Sequence, residues 1–281
     1  MKKITRTIYG AKLQTAMFLG MPFEMDTHTT LNEYFGVEAG VEPSASVYPR
    51  ARYFCIGNGA HYNATAADGF PYTGLHEHAV QDAALWKPLP FVIRELDDDL
   101  DSVTRAQYAL RKEITVSGQQ YVAYYLKRMD FTDVEITMLH NTVANNVTTS
   151  IPFVPSSANL NPQVPEIPNT GVITTDGTYL SVSAMLQLAF SALDVEEFIN
   201  ACNILFGDAV HSVISEFGIV TAVDKISTAT TPDGQINYLE VIAAQIATHL
   251  TAHYPVVFNN EGFDYRLEIG STESLYAVDP P

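Results

Sequence analysis

Four histidines carry the chemistry that residue type and spacing alone put on offer. "GLHEHAVQD" groups His76, Glu77, His78 and Asp82, and "HLTAH" sets His249 and His253 four residues apart. Imidazoles and carboxylates are common zinc or iron ligands. His76 and His78 would share one face if their segment were a strand, and His249 and His253 fall at i and i+4 on a helix face, so the two pairs could together serve a metal-dependent hydrolase. Against this, no glutamate stands between His249 and His253 in the metalloprotease arrangement, and nothing in the sequence joins the pairs. His253 in a last helical turn also suits the negative end of the helix dipole. The plainer reading is imidazoles in a loop and at a helix end, without metal.

Other candidate motifs fall short for stated reasons. "ELDDDLDS" groups Glu95, Asp97, Asp98, Asp99 and Asp101 but lacks the alternating oxygen ligands and central glycine of a calcium loop, so it reads as a solvated acidic turn. "GNG" at 57–59 is too short to cradle phosphate, and "GDAVHSVIS" has no glycine frame for a nucleophile elbow. Ser212 beside His211 is adjacency in sequence, and a triad is recognised by mutual placement. The expectation is a chain that is not an enzyme, with no catalytic, cofactor-binding or metal residues.

Composition narrows the partners. Fifteen Lys and Arg against 32 Asp and Glu give a formal charge of −17 over 281 residues, which opposes direct contact with nucleic acid or anionic membranes. Hydrophobic residues make up 47%, as in a folded soluble protein. Cys55 and Cys202, far apart, read as buried reduced thiols and imply folding in a cytoplasm. The apolar stretches of the basic start are broken by Lys12, Gln14 and Thr15, and no run approaches the ~18 residues that span a bilayer.

These residues must be positioned by elements that the pattern partly announces. Residues 1–95, rich in Gly, Tyr, Thr and Pro, read as strands and long loops. A short helix is expected over 101–113 behind the cap Asp101. A hairpin follows, with Ile114 and Val116, a Ser117-Gly118 turn and a strand from Tyr121 to Leu126. "DVEITMLHNTV" and "NVTTSIPFV" add strands. Five prolines between 152 and 171 bias "NPQVPEIP" toward a stiff, extended connector whose Val154, Leu160, Val164 and Ile167 could dock on a neighbour.

Beyond it, "GTYLSVSAMLQLAF" alternates as a strand, and "LDVEEFINACNILFG" shows helical spacing ended by Gly207. "DAVHSVISEFGIV" reads as a short helix running into a strand, and "TTPDGQ" as a turn. "NYLEVIAAQIATHLTAHYP" is expected to be a second helix with Leu239, Ile242, Ala243, Ile246 and Leu250 as its stripe, before the strands "YPVVFNN" and "FDYRLEIG". The expected fold class is α+β. A β-rich domain with long loops (1–151) and the Pro-rich connector (152–171) precede a mixed α/β domain (172–281) with two main amphipathic helices.

The run from "RYFCIGNGAHY" through "DAALWKPLPFVIRELDDDL" and "YALRKEITVSGQQYVAYYLKRMDF" to "PFVPSSANLNPQVPEIPNTGV" resembles structural proteins of tailed-bacteriophage virions, notably tail baseplate or neck components. That resemblance implies assembly in the virion, in a wedge-like baseplate ring or at the head-to-tail neck, with other virion proteins and copies of itself as partners. It brings no catalytic residues. Tyr53, Phe54, Phe70, Tyr72 and Trp86 are then expected as interface anchors, since aromatic side chains bury much area with few rotatable bonds. The same exposed aromatics would also suit a host-glycan-binding module.

Overall fold

The computed structural model describes residues 3–25, 31, 35, 44, 46–157, 161, 178–231, 234–256 and 261–274. They form two compact units, Met1–Met129 with Ala189–Phe263, and Asp130–Leu188 with Asp264–Pro281. The expected connector, 152–171, lies within the second unit's stretch of chain. Apart from 152–157 and 161 it lies outside the described residues.

The first unit is built on a long antiparallel hairpin, β12 (Val213–Thr231) and β13 (Gly234–Pro255), paired from Val213↔Pro255 to Thr231↔Gly234. Of the expected "TTPDGQ" turn, residues 232 and 233 lie outside the described residues. On its far side β13 pairs with β1 (Lys3–Arg6), and β12 pairs with β2 (Arg50–Gly57). The sheet continues through β8 (Gln119–Arg128), which pairs with β2, with β6 (Val92–Glu95) and with β7 (Tyr108–Val116). The two-residue β5 (Pro88–Leu89) also pairs with β2. A separate ribbon joins β3 (His61–Thr65) to β4 (Pro71–Leu75).

The expected turn between β7 and β8 is present, with φ of 50° at Ser117 and 87° at Gly118. Both central residues take the left-handed region, as a tight hairpin on twisted strands requires.

Helix α1 (Ile8–Leu19) opens on Thr7, whose Oγ1 accepts from Gly10 N, and stops at Gly20 in the left-handed conformation. A Cβ at Gly10 would fall 2.6 Å from the Ala247 carbonyl, so only glycine lets α1 approach β13 this closely. Helix α2 (Ser102–Arg105) is a single turn capped by Asp101. Helix α3 (Ala192–Phe206) has the Ser191–Asp194 capping box and the Gly207 stop, and buries Val195, Phe198, Ala201 and Cys202.

The α+β expectation is corrected: the fold is β-dominated, and among the described residues the C-terminal half holds one main helix. The segment read as a second helix is β13. Its residues from Val241 to Ile246 pair with β12 and are buried without interruption, because a strand covered on both faces loses the alternation of a half-exposed one. Such a run satisfies helical and strand spacing alike. The helix expected over 101–113 stops at Arg105, because Tyr108, Ala109 and Leu110 are buried in β7 against β8. The first 95 residues in turn hold a helix, α1, that was not foreseen. With Leu13 alone of its residues buried, it leaves no amphipathic stripe to read.

The second unit is one antiparallel sheet in the order β10 (Val147–Pro152), β9 (Ile136–Ala144), β11 (Thr178–Phe190), β14 (Phe263–Ser274). Asn145 and Asn146 turn β9 into β10 with φ of 52° and 61°. Pro152 extends β10, and Phe153 N donates to the Met138 carbonyl, so the sheet reaches past the start of the expected connector.

Candidate functional site

Between the β1-to-β6 strands of the first unit and the chain from 76 to 87 lies a wholly buried carboxylate. Glu216 sits on β12 directly after a register shift, opposite Gly57 of β2 and Thr251 of β13. Its Oε1 accepts from Gly59 N at 2.6 Å and Lys87 N at 3.1 Å, and its Oε2 from Trp86 N at 2.9 Å. A Cβ at Gly57 or Gly59 would stand 2.8 Å from Oε1, so the two glycines make the room the carboxylate occupies.

The fourth partner is His78, whose Nε2 lies 3.0 Å from Glu216 Oε2 while its Nδ1 lies 2.9 Å from Asp82 Oδ2. Each ring nitrogen of His78 thus lies within hydrogen-bond distance of a carboxylate oxygen, and the ring bridges Glu216 on the strand to Asp82 in the loop. Burial pushes the Glu216 carboxyl up. The His78 bond and the three backbone N–H groups outweigh burial and hold it below the usual carboxylate range.

The His78 ring is sandwiched. Trp86 stacks on one face at 3.8 Å and 11°, and His249 on the other at 3.9 Å and 13°. His249 Nε2 donates to the Asp82 carbonyl at 3.1 Å, while its Nδ1 is buried without a partner. Burial, then the charge of His78, push the His249 pKa down to about 4, so it stays neutral.

The structure thus joins the two histidine pairs that the sequence left apart, with His78 against His249 and His61 edge-on to His253 at 5.3 Å. His61 Nδ1 lies 3.1 Å from Ser215 Oγ, and burial, then His253, lower its pKa. Ser215 is itself wholly buried, which leaves its hydroxyl no approach for a substrate. His76 packs against Tyr62 at 4.6 Å and Trp86 at 5.9 Å. Among the described residues no three His, Cys, Asp or Glu are arranged to hold a metal ion. Chemically, the cluster fastens the 76–87 segment to the strands beneath it through the hydrogen bonds that converge on Glu216.

The expected interface anchors divide. Tyr53 and Phe54 are wholly buried and therefore core residues. Tyr53 donates to Asp224 Oδ1 at 2.8 Å, and Phe54 packs edge-on to Phe91 and Phe190. Phe70, Tyr72 and Trp86 are exposed, as is Val154. Leu160, Val164 and Ile167 lie outside the described residues. Glu216 was missed, although its signal exists: it is the lone charge in the apolar run "VISEFGIVTAV".

The second unit's sheet has two unlike faces. Register places Ile136 opposite Ala184, Met138 opposite Val182, and His140 between Leu180 and Ile151 on one face, with Thr142 and Thr149 at its end. Ile136, Met138, Val147, Ile151 and Val182 are exposed there, Ile136 by 77%. The opposite face carries Asn141, Ser181 and Ser183, all buried. Where β9 pairs with β10 and the first half of β11, the usual arrangement of a one-sided sheet, apolar in and polar out, is inverted, whereas Leu186 and Leu188 further along β11 are buried.

The chain is thus a β-dominated protein of two units, with a buried carboxylate–imidazole bridge in one and a sheet with an exposed apolar patch in the other. It belongs to the family of unknown function DUF7208, whose model matches residues 1–279. No curated protein and no solved structure matches it.

Proposed function

We propose that the chain is a structural subunit working through protein–protein contacts, a virion component of the tail baseplate or neck in the sense the sequence resemblance implies. Its partners are other virion proteins and copies of itself. The observation that carries this reading is the exposed apolar face of the four-stranded sheet, where Ile136, Met138, Val147, Ile151 and Val182 lie together. A contiguous apolar patch left in water marks a surface that another polypeptide covers. Exposed Phe70, Tyr72 and Trp86 on the first unit add anchors of the type enriched at interfaces.

The test is to introduce Ile136→Lys with Ile151→Lys and follow incorporation into virions of the encoding virus by mass spectrometry. The wild-type chain is expected in purified particles. The double variant is expected to fold with an unchanged circular dichroism spectrum and to be lost from them. Wild-type chain absent from particles, or a double variant incorporated normally, overturns the reading.

A further inference from the structure

The polar face of the same sheet supports an inference that is independent of assembly. Asn141, Ser150, Tyr179, Ser181, Ser183 and Glu268 line a cavity of about 360 Å³. Three of them, Asn141, Ser181 and Ser183, are buried, although polar side chains are costly to bury without partners.

Their mutual bonds fix them in place. Ser150 Oγ donates to Asn141 Oδ1 at 2.6 Å, and Asn141 Nδ2 donates to Ser181 Oγ at 2.9 Å. Ser183 Oγ donates to Glu268 Oε1 at 2.5 Å. The second oxygen of Glu268 and the Tyr179 hydroxyl make no hydrogen bond among the described residues, so both remain available to a ligand.

The chemistry of this lining selects the ligand by elimination. It holds one carboxylate and no lysine or arginine, which disfavours an anion. One carboxylate among neutral hydroxyls and an amide is too few charged oxygens for a dedicated divalent-cation site. A purely apolar ligand would strip water from these groups and return no hydrogen bonds. What remains is a neutral molecule dense in hydroxyls.

We propose that this cavity binds a neutral saccharide, one or two rings in size. Glu268 accepts from a pair of ring hydroxyls, the Tyr179 hydroxyl bonds a third, and the Tyr179 ring supplies an apolar face for the sugar C–H groups. Asn141 and its serine neighbours hold the wall in register without needing to move on binding.

The full chain is titrated by calorimetry and by saturation-transfer NMR. The probes are glucose, galactose, mannose, N-acetylglucosamine, rhamnose and the disaccharides maltose, lactose and chitobiose. Binding of at least one probe is expected, weakened at least about tenfold by Glu268→Gln, the loss of a charged hydrogen-bond acceptor. Tyr179→Phe, which keeps the ring, serves as a second and gentler variant and is expected to weaken binding less. Val103→Ser, at an exposed position of the first unit, is expected to leave saccharide binding unchanged. If no probe binds at tens of millimolar, or if folded Glu268→Gln and Tyr179→Phe both bind as tightly as the wild type, the proposal is wrong.

Discussion

Glu216 and His78 meet at 3.0 Å with both side chains wholly excluded from solvent, one from near the start of strand β12 and the other from a loop 138 residues earlier in the chain. Removing Glu216 leaves the His78 ring nitrogen and three backbone N–H groups buried without their acceptor, which costs roughly 3–5 kcal/mol. Glu216→Ala is therefore expected to lose stability on that scale, measured by urea unfolding at neutral pH. In a double-mutant cycle with His78→Phe, the two changes are expected to be clearly less than additive.

His249 gives the protein an acid-sensitive term. Its folded pKa, about 4, lies below the ordinary 6.5, so the unfolded chain binds more protons between those values. Stability from this group is complete above pH 6.5 and is lost as pH falls toward 4. At about 1.4 kcal/mol per unit the loss is roughly 3 kcal/mol. Glu216, held low, adds to the loss in the same direction at more acid pH. Unfolding midpoints across this range should flatten in His249→Phe, which keeps a ring against His78.

Gly10 sits where any side chain meets backbone, 2.6 Å from the Ala247 carbonyl. Gly10→Ala should therefore push α1 off β13, costing about 1–3 kcal/mol as other forms of overpacking do. Limited proteolysis is expected to cut within residues 8–19 in the variant well before the wild type.

Asn146 holds φ at 61° in the β9–β10 turn. Asparagine tolerates that region and branched residues do not. Asn146→Val should cost about 1–2 kcal/mol, while Asn146→Gly should be neutral or slightly stabilising. Thermal unfolding of the two variants measures the difference.

Cys55 and Cys202 are buried, and burial pushes both thiols up, Cys202 to about 11. Since the thiolate is the reactive form, neither should react with a disulfide reagent at pH 8 until the chain unfolds. Counting labelled thiols before and after adding denaturant checks this.

Local signals carried well where local chemistry decides. Ser117-Gly118, the strands around Asn145-Asn146, and the Ser191-to-Gly207 helix are each fixed by residues a few positions apart. What failed was fixed from a distance. Residues 241–246 satisfy two periodicities, and only pairing with β12 chooses the strand. The histidines were visible, but their meeting depends on Glu216, whose role rests on a β12 register shift and on two glycines around 160 residues away in sequence. The inverted sheet depends on register across three strands, which alternation within any one of them does not reveal.

Strand β14 is the last described element, yet it pairs with β11 at the edge of a sheet begun near residue 136. During synthesis β9 and β10 can zip as a local hairpin at once, whereas β11 must wait beside an open margin until the ribosome has delivered everything up to about residue 274. A nascent chain halted before 263 would expose that bare edge to its neighbours, so premature termination here creates a sticky fragment rather than a shorter working protein.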